Sequence, residues 1–173
     1  VMRLKNLSLA VLCAISTALP CSFGLAHTVT ATPQVGEAPV RPVVVPYPAA
    51  ELAPAAVAAA LTRAKTSGKP VLLDFGGNWA PDCWALSGVL ATPAVAAWVA
   101  QNYEVAVVNV SRFMTNMSIA AGYGVTVSVA PTVLIISPSG KLLNGDSVVA
   151  LAHARQMTPQ AVVDQLATWA KLD

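Results

Sequence analysis

Charge is the scarcest feature of this chain. Only 10% of its 173 residues are Asp, Glu, Lys or Arg, and the formal net charge is +2. Removing residues 1–26 takes away Arg3 and Lys5 and leaves eight basic against eight acidic side chains. A neutral, sparsely charged body argues against nucleic acid or an anionic membrane surface as partner. Cysteine is nearly absent too. Of the three, Cys13 and Cys21 lie in residues 1–26, so the remainder keeps Cys83 alone and has no internal disulfide. The two histidines, His27 and His153, have no cysteine or carboxylate at ligand spacing, so no metal is expected. No cofactor is expected either: Gly76-Gly77 follows a strand-like run but lacks the further glycine and lysine of a phosphate loop. There is no internal repeat and no sign of a second domain.

Long apolar runs are also missing. The best, residues 7–19 (LSLAVLCAISTAL), is too short to span a bilayer comfortably. With Arg3 and Lys5 before it and Gly24-Leu25-Ala26 or Val29-Thr30-Ala31 after it, it reads as a secretory signal peptide over residues 1–26. Pro20 directly before Cys21 argues against lipid anchoring at that cysteine. Residues 27–50 hold five of the thirteen prolines and no periodicity, an extended linker with Val43–Val45 as a candidate edge strand.

From residue 51 the pattern becomes regular. Residues 51–65 read as a helix with Leu52, Val57, Leu61 and Ala64 near one face, stopped by Gly68. A strand is expected over 70–75 and a helix from about Pro81 to Leu90. Thr92-Pro93 signals a cap and a further helix to about Asn102. A β-prone run covers 103–110, and a short helix 115–122. A buried strand covers 132–136, and a turn over 137–140 pairs it with a return strand at 141–144. Thr158-Pro159 opens a last helix with Val162, Val163, Leu166, Trp169 and Ala170 on its apolar face. The order predicts an α/β domain over 51–173: a central mixed sheet with helices on both faces.

The chain is organised around residues 69–86, KPVLLDFGGNWAPDCWAL. A buried strand carrying Asp74 ends at Gly76-Gly77, and a helix follows with Cys83 in its first turn. A thiol there feels the helix dipole and unpaired N–H groups, a setting that makes cysteines reactive.

The run Val71-Leu72-Leu73-Asp74-Phe75, then Trp79-x-x-x-Cys83, then Ala130-Pro131-Thr132 before a strand, resembles the thioredoxin fold. Over residues 50–171 it is most similar to periplasmic bacterial thioredoxin family proteins with a W-C-x-D-C site. The resemblance implies that Trp79 flanks the site, position 80 is the attacking cysteine, Cys83 the resolving cysteine, and Asp74 a buried acid moving protons for it. It implies that Pro131 is a cis-proline and that the backbone before it, at Ala130, pairs with an extended substrate peptide. Trp79, Pro81, Asp82, Ala130 and Pro131 would then bind substrate. It also implies a periplasmic location.

Ala80 breaks this pattern, since disulfide exchange needs an attacking thiolate and a second thiol to release the mixed disulfide. Three readings follow. The site is degenerate and the protein binds peptides, some of them cysteine-containing, along a groove at Trp79, Ala80 and Pro131. Alternatively Cys83 works alone, or Ala80 is an introduced change in a dithiol enzyme. Cys83 also reads as an apolar core filler, Asp74 as hydrogen-bonded structure, and Asp82 as a solvated first-turn acid. Position 80 is expected to be the exposed helix start, with Cys83 covered one turn further in.

Overall fold

A computed structural model describes residues 28–172. The signal-peptide expectation for residues 1–26 lies outside the described residues. The first helix, α1 (Ala53–Ser67), has Pro54 in its first turn, where a missing N–H is harmless. It ends at Gly68, whose φ of 73° lets its N–H turn back to the Ala64 carbonyl. Its inner face is Ala53, Val57, Ala60 and Ala64, whereas Leu52 is exposed.

The remaining elements run in the expected order. They are β1 (Val71–Gly76), α2 (Pro81–Leu90), α3 (Pro93–Asn102), β2 (Glu104–Asn109), α4 (Met117–Ala121), β3 (Thr132–Ile136) and α5 (Pro159–Trp169). The sheet order is β2-β1-β3. β1 and β2 are parallel, joined by the α2–α3 crossover, with Val71 beside Glu104 and Gly76 beside Asn109. β1 and β3 are antiparallel, with Val71 beside Ile136 and Phe75 beside Thr132. β1 is central and buried along its whole length, which is why it reads as a continuous apolar run.

Strand alternation divides the core in two. Leu72, Val133 and Ile135 face α2, α3 and α5, together with Leu86, Trp98, Tyr103, Val163 and Trp169. Val71, Leu73, Phe75, Leu134 and Ile136 face α1 and α4. Helices therefore cover both faces, and the fold is the expected α/β arrangement.

Three local expectations need correction. Residues 141–144 form no strand; they contribute one bridge, Ile136 to Leu142, with two backbone bonds, from the Leu143 N–H to the Ile135 carbonyl and from the Ser137 N–H to the Lys141 carbonyl. The buried Asn144 side chain takes over instead, accepting from the Ile135 N–H at 2.8 Å and donating to the Val133 carbonyl at 2.9 Å. One amide satisfies a donor and an acceptor that a strand would otherwise have met. Thr92 does not cap α3: its hydroxyl donates backward to the Gly88 carbonyl. Val43–Val45 is no edge strand, and Val44 and Val45 are exposed.

Residues 28–50 are extended but bound along the domain as a strap. Thr30 is held by Asn102 and Trp98. Val35 and Gly36 are held by Gln160. The Val43 N–H donates to the Trp84 carbonyl at 3.1 Å. Tyr47 alone among residues 28–50 is buried.

Candidate functional site

The site lies where β1 ends and α2 begins. After Gly76 the chain turns through 77–80, with the Ala80 N–H on the Gly77 carbonyl, and α2 starts at Pro81. Ala80 is the extended N-cap residue of α2 and offers no side-chain oxygen to the first turn. Contrary to expectation, position 80 is not exposed: Ala80 is 4% accessible. It packs with Tyr47 and Cys83 in a small cluster bordered by Trp79, Val107 and Ala130. The strap residue Tyr47 supplies part of that cover.

Cys83 is 0% accessible, and as expected lies one turn into the helix. Burial pushes its thiol up to about 11, although the adjacent Tyr47 hydroxyl works in the opposite direction. At neutral pH the sulfur is protonated and out of reach, the opposite of an activated nucleophile.

Asp74 projects from β1 into the same place and is 2% accessible. Its Oδ1 accepts a 2.8 Å hydrogen bond from the Tyr47 hydroxyl. Burial pushes its carboxyl up to about 7, and the Tyr47 bond opposes part of that rise. Burial, with Asp74 and Cys83 beside it, pushes the Tyr47 phenol far above its ordinary range. Tyr47 is therefore a fixed donor, and Asp74, Tyr47 and Cys83 form one buried polar cluster.

Gly76 is needed here. A Cβ on it would collide with the Tyr47 hydroxyl and the Cys83 sulfur. Only glycine lets the strap residue and the thiol meet over the end of β1.

Outside this pocket the other expected residues are spread around the rim. Trp79 is half-buried, meets Phe113 edge-on at 5.3 Å, and carries the Arg112 guanidinium 5.4 Å above its ring. Its Nε1 is buried and has no hydrogen-bond partner among the described residues. Ser111, Arg112 and Phe113 all have positive φ (40°, 55° and 65°), an unfavourable run for three non-glycine residues, and it brings Arg112 and Phe113 onto Trp79. An open cleft of about 460 Å³ lies between Asn78, Trp79, Asn109, Ser111 and Arg112. Pro81 is exposed at the start of α2.

Asp82 is not a solvated acid: its carboxylate accepts from the Arg155 N–H at 3.0 Å and from Arg155 Nε at 3.3 Å. It ties α2 to the segment before α5. On the other side, Pro131 is buried, follows a cis peptide bond, and leads into β3. Ala130 is half-buried, and among the described residues its N–H and carbonyl make no backbone hydrogen bond. No cluster of three metal-ligating side chains occurs among the described residues.

Sequence reasoning missed Tyr47 and Asn78. The Asn78 amide clasps the strap, accepting from the Tyr47 N–H and donating to the Tyr47 carbonyl, both at 2.9 Å. The available signal was Pro46-Tyr47-Pro48, in which one of the chain's three tyrosines stands between two prolines in an otherwise featureless segment.

A family model described as thioredoxin-like matches residues 53–138. A disulphide isomerase from Xylella fastidiosa Temecula1 is 33% identical, with a TM-score of 0.67; the match covers 72% of this chain and 95% of that one. A Pseudomonas aeruginosa protein of unknown function (15% identity, TM-score 0.39) and an HIV epitope scaffold (17%, 0.40) each match 67% of this chain and 82% of their own. No curated protein matches the sequence.

Proposed function

Because the chain belongs to the thioredoxin-like family, a family of the thiol–disulfide oxidoreductase type, we propose that it uses this frame to bind extended peptides rather than to turn over disulfides. The observation that carries the reading is the state of the sulfur. Position 80 is alanine, and Cys83 is inaccessible with its thiol pushed up to about 11. Exchange requires an accessible thiolate, and no described residue supplies one.

The groove needs no thiol. The free N–H and carbonyl of Ala130 suit a peptide adding by main-chain hydrogen bonds, and the half-buried Trp79 offers an aromatic wall across from it. The partner is a protein or peptide segment in extended form, with or without cysteine. No cofactor or metal takes part. The charge pattern and short apolar core of residues 1–26 support export, so the partner is met in the periplasm.

The test pairs two measurements. The wild-type protein should not accelerate insulin reduction by dithiothreitol, whereas Ala80→Cys should form a reducible disulfide with Cys83 and gain that activity. Reduced, carboxymethylated insulin B chain should bind the wild type, and Trp79→Ala should weaken binding about tenfold. Wild-type turnover equal to that of Ala80→Cys, or no binding at all, sinks the proposal.

A further inference from the structure

We infer that residues 43–50 are a latch. They form a tethered ligand whose Tyr47 side chain fills a pocket over Asp74 and Cys83 and whose local release is the route to that pair. The inference does not depend on peptide binding at Ala130, since it concerns how Tyr47 is seated over Asp74 and Cys83.

The domain is shaped to receive this segment and the strap residues just before it. A Cβ on Gly76 would strike the Tyr47 hydroxyl. One on Gly88, in the last turn of α2, would stand 2.5 Å from the Arg41 carbonyl oxygen and 3.1 Å from the Pro42 Cα. Glycine in a helix interior is unfavourable, so its presence where the strap crosses points to a required close approach.

The latch is gripped by side chains rather than by a strand. Asn78 holds both backbone groups of Tyr47. Asn109 donates to the Pro48 carbonyl and Asn116 to the Ala50 carbonyl, each at 2.8 Å. Pro46 and Pro48 have no N–H, so Tyr47 carries the donor of the Pro-Tyr-Pro unit, and Asn78 takes it. The prolines also keep the segment extended when it is free, so it can release and re-dock as a unit.

The attachment is local. One buried side chain with its hydroxyl bond to Asp74, four amide-to-backbone hydrogen bonds and the Val43–Trp84 backbone bond hold residues 43–50, against two apolar clusters that hold the rest of the domain. A segment with few buried contacts opens more often than the core it rests on. The pocket it leaves has a carboxylate acceptor at its end and Ala80, Cys83 and Val107 around it, a fit for a phenol.

The experiment is native-state alkylation of Cys83 in the full chain with iodoacetamide. Labelling is followed by mass spectrometry on the peptide carrying Cys83, which reads it apart from Cys13 and Cys21. Rates are measured at urea concentrations below the unfolding transition. Latch opening predicts a urea dependence well below that of global unfolding measured by circular dichroism, since little surface is exposed. Asn78→Ala, which removes two grips without touching Cys83, should raise the rate about tenfold or more and keep the shallow slope. The inference is overturned if labelling of the wild type follows the global slope, or if the slope is shallow and Asn78→Ala leaves the rate unchanged.

Discussion

Asp74 is buried among apolar strands, and its charge there has one strong helper, the Tyr47 hydroxyl. Burial wins, and the carboxyl is pushed from 3.8 up to about 7. The folded protein therefore holds a proton that the unfolded chain has already lost between about pH 4 and pH 7. Stability is full below the ordinary carboxylate range, falls as pH rises through about 7, and is level above it, a total of a few kcal/mol at most. Glu104 acts in another window. Burial alone would raise it, but hydrogen bonds from Arg63 and Lys69 hold it below its ordinary value, so its contribution is lost only as pH falls through that lower range. Asp74→Asn should remove the neutral-range slope and leave the acid limb intact. Urea midpoints for both proteins between pH 4.5 and 9 check this: the variant should be the more stable above pH 7, and parallel curves would refute it. The Asp74 carboxyl was legible in the sequence as a buried acid. Its partner was not, because a phenol 27 positions earlier leaves no periodic trace.

Thr-Pro at a helix start occurs twice, and the two copies behave differently. Thr158 accepts from the Ala161 N–H at 3.2 Å and caps α5, whereas the Thr92 side chain turns back to the Gly88 carbonyl, a 3.4 Å bond. Local sequence cannot separate them, since what differs is the preceding chain: α3 follows α2 after two residues, so the Gly88 carbonyl lies within reach of Thr92. Thr158→Ala should therefore destabilise by about 1 kcal/mol, and Thr92→Ala by a few tenths. Urea denaturation of the two variants reads the difference directly; equal losses would mean that Thr92 caps in solution. Element order and the three strands were readable from proline positions, glycine stops and apolar runs, whereas the limits of α1 and α4 were offset by up to two residues. The lack of a strand at 141–144 was not readable, because one buried amide, Asn144, does the pairing that a strand pattern suggests.

Asparagine side chains standing in for strands recur across the whole molecule. Asn144 closes the outer edge of β3, Asn78 clasps Tyr47, and Asn102 holds Thr30 at the far end of the strap. The Asn78 and Asn102 contacts join segments 31 and 72 positions apart and follow no period, so the strap reads from sequence as a featureless linker. Its stations are separate. Asn102 accepts from the Thr30 N–H and donates to the Thr30 hydroxyl and the Trp98 carbonyl, all within 2.9 Å, and is fully buried. Between Thr30 and Tyr47 the chain contains Pro33, Pro39, Pro42 and Pro46, and no regular hydrogen-bonded structure links one station to the next. Asn102→Ala should cost about 1–3 kcal/mol, because it removes three hydrogen bonds, two of them to Thr30, made by a fully buried side chain. It should also speed amide exchange at Thr30 while leaving exchange at Tyr47 unchanged. In a double-mutant cycle with Asn78→Ala, the two losses should add within about 0.5 kcal/mol, as for independent sites. Coupling above about 1 kcal/mol would mean that the strap docks as one body, and release of residues 43–50 would then carry the distant Thr30 anchor with it.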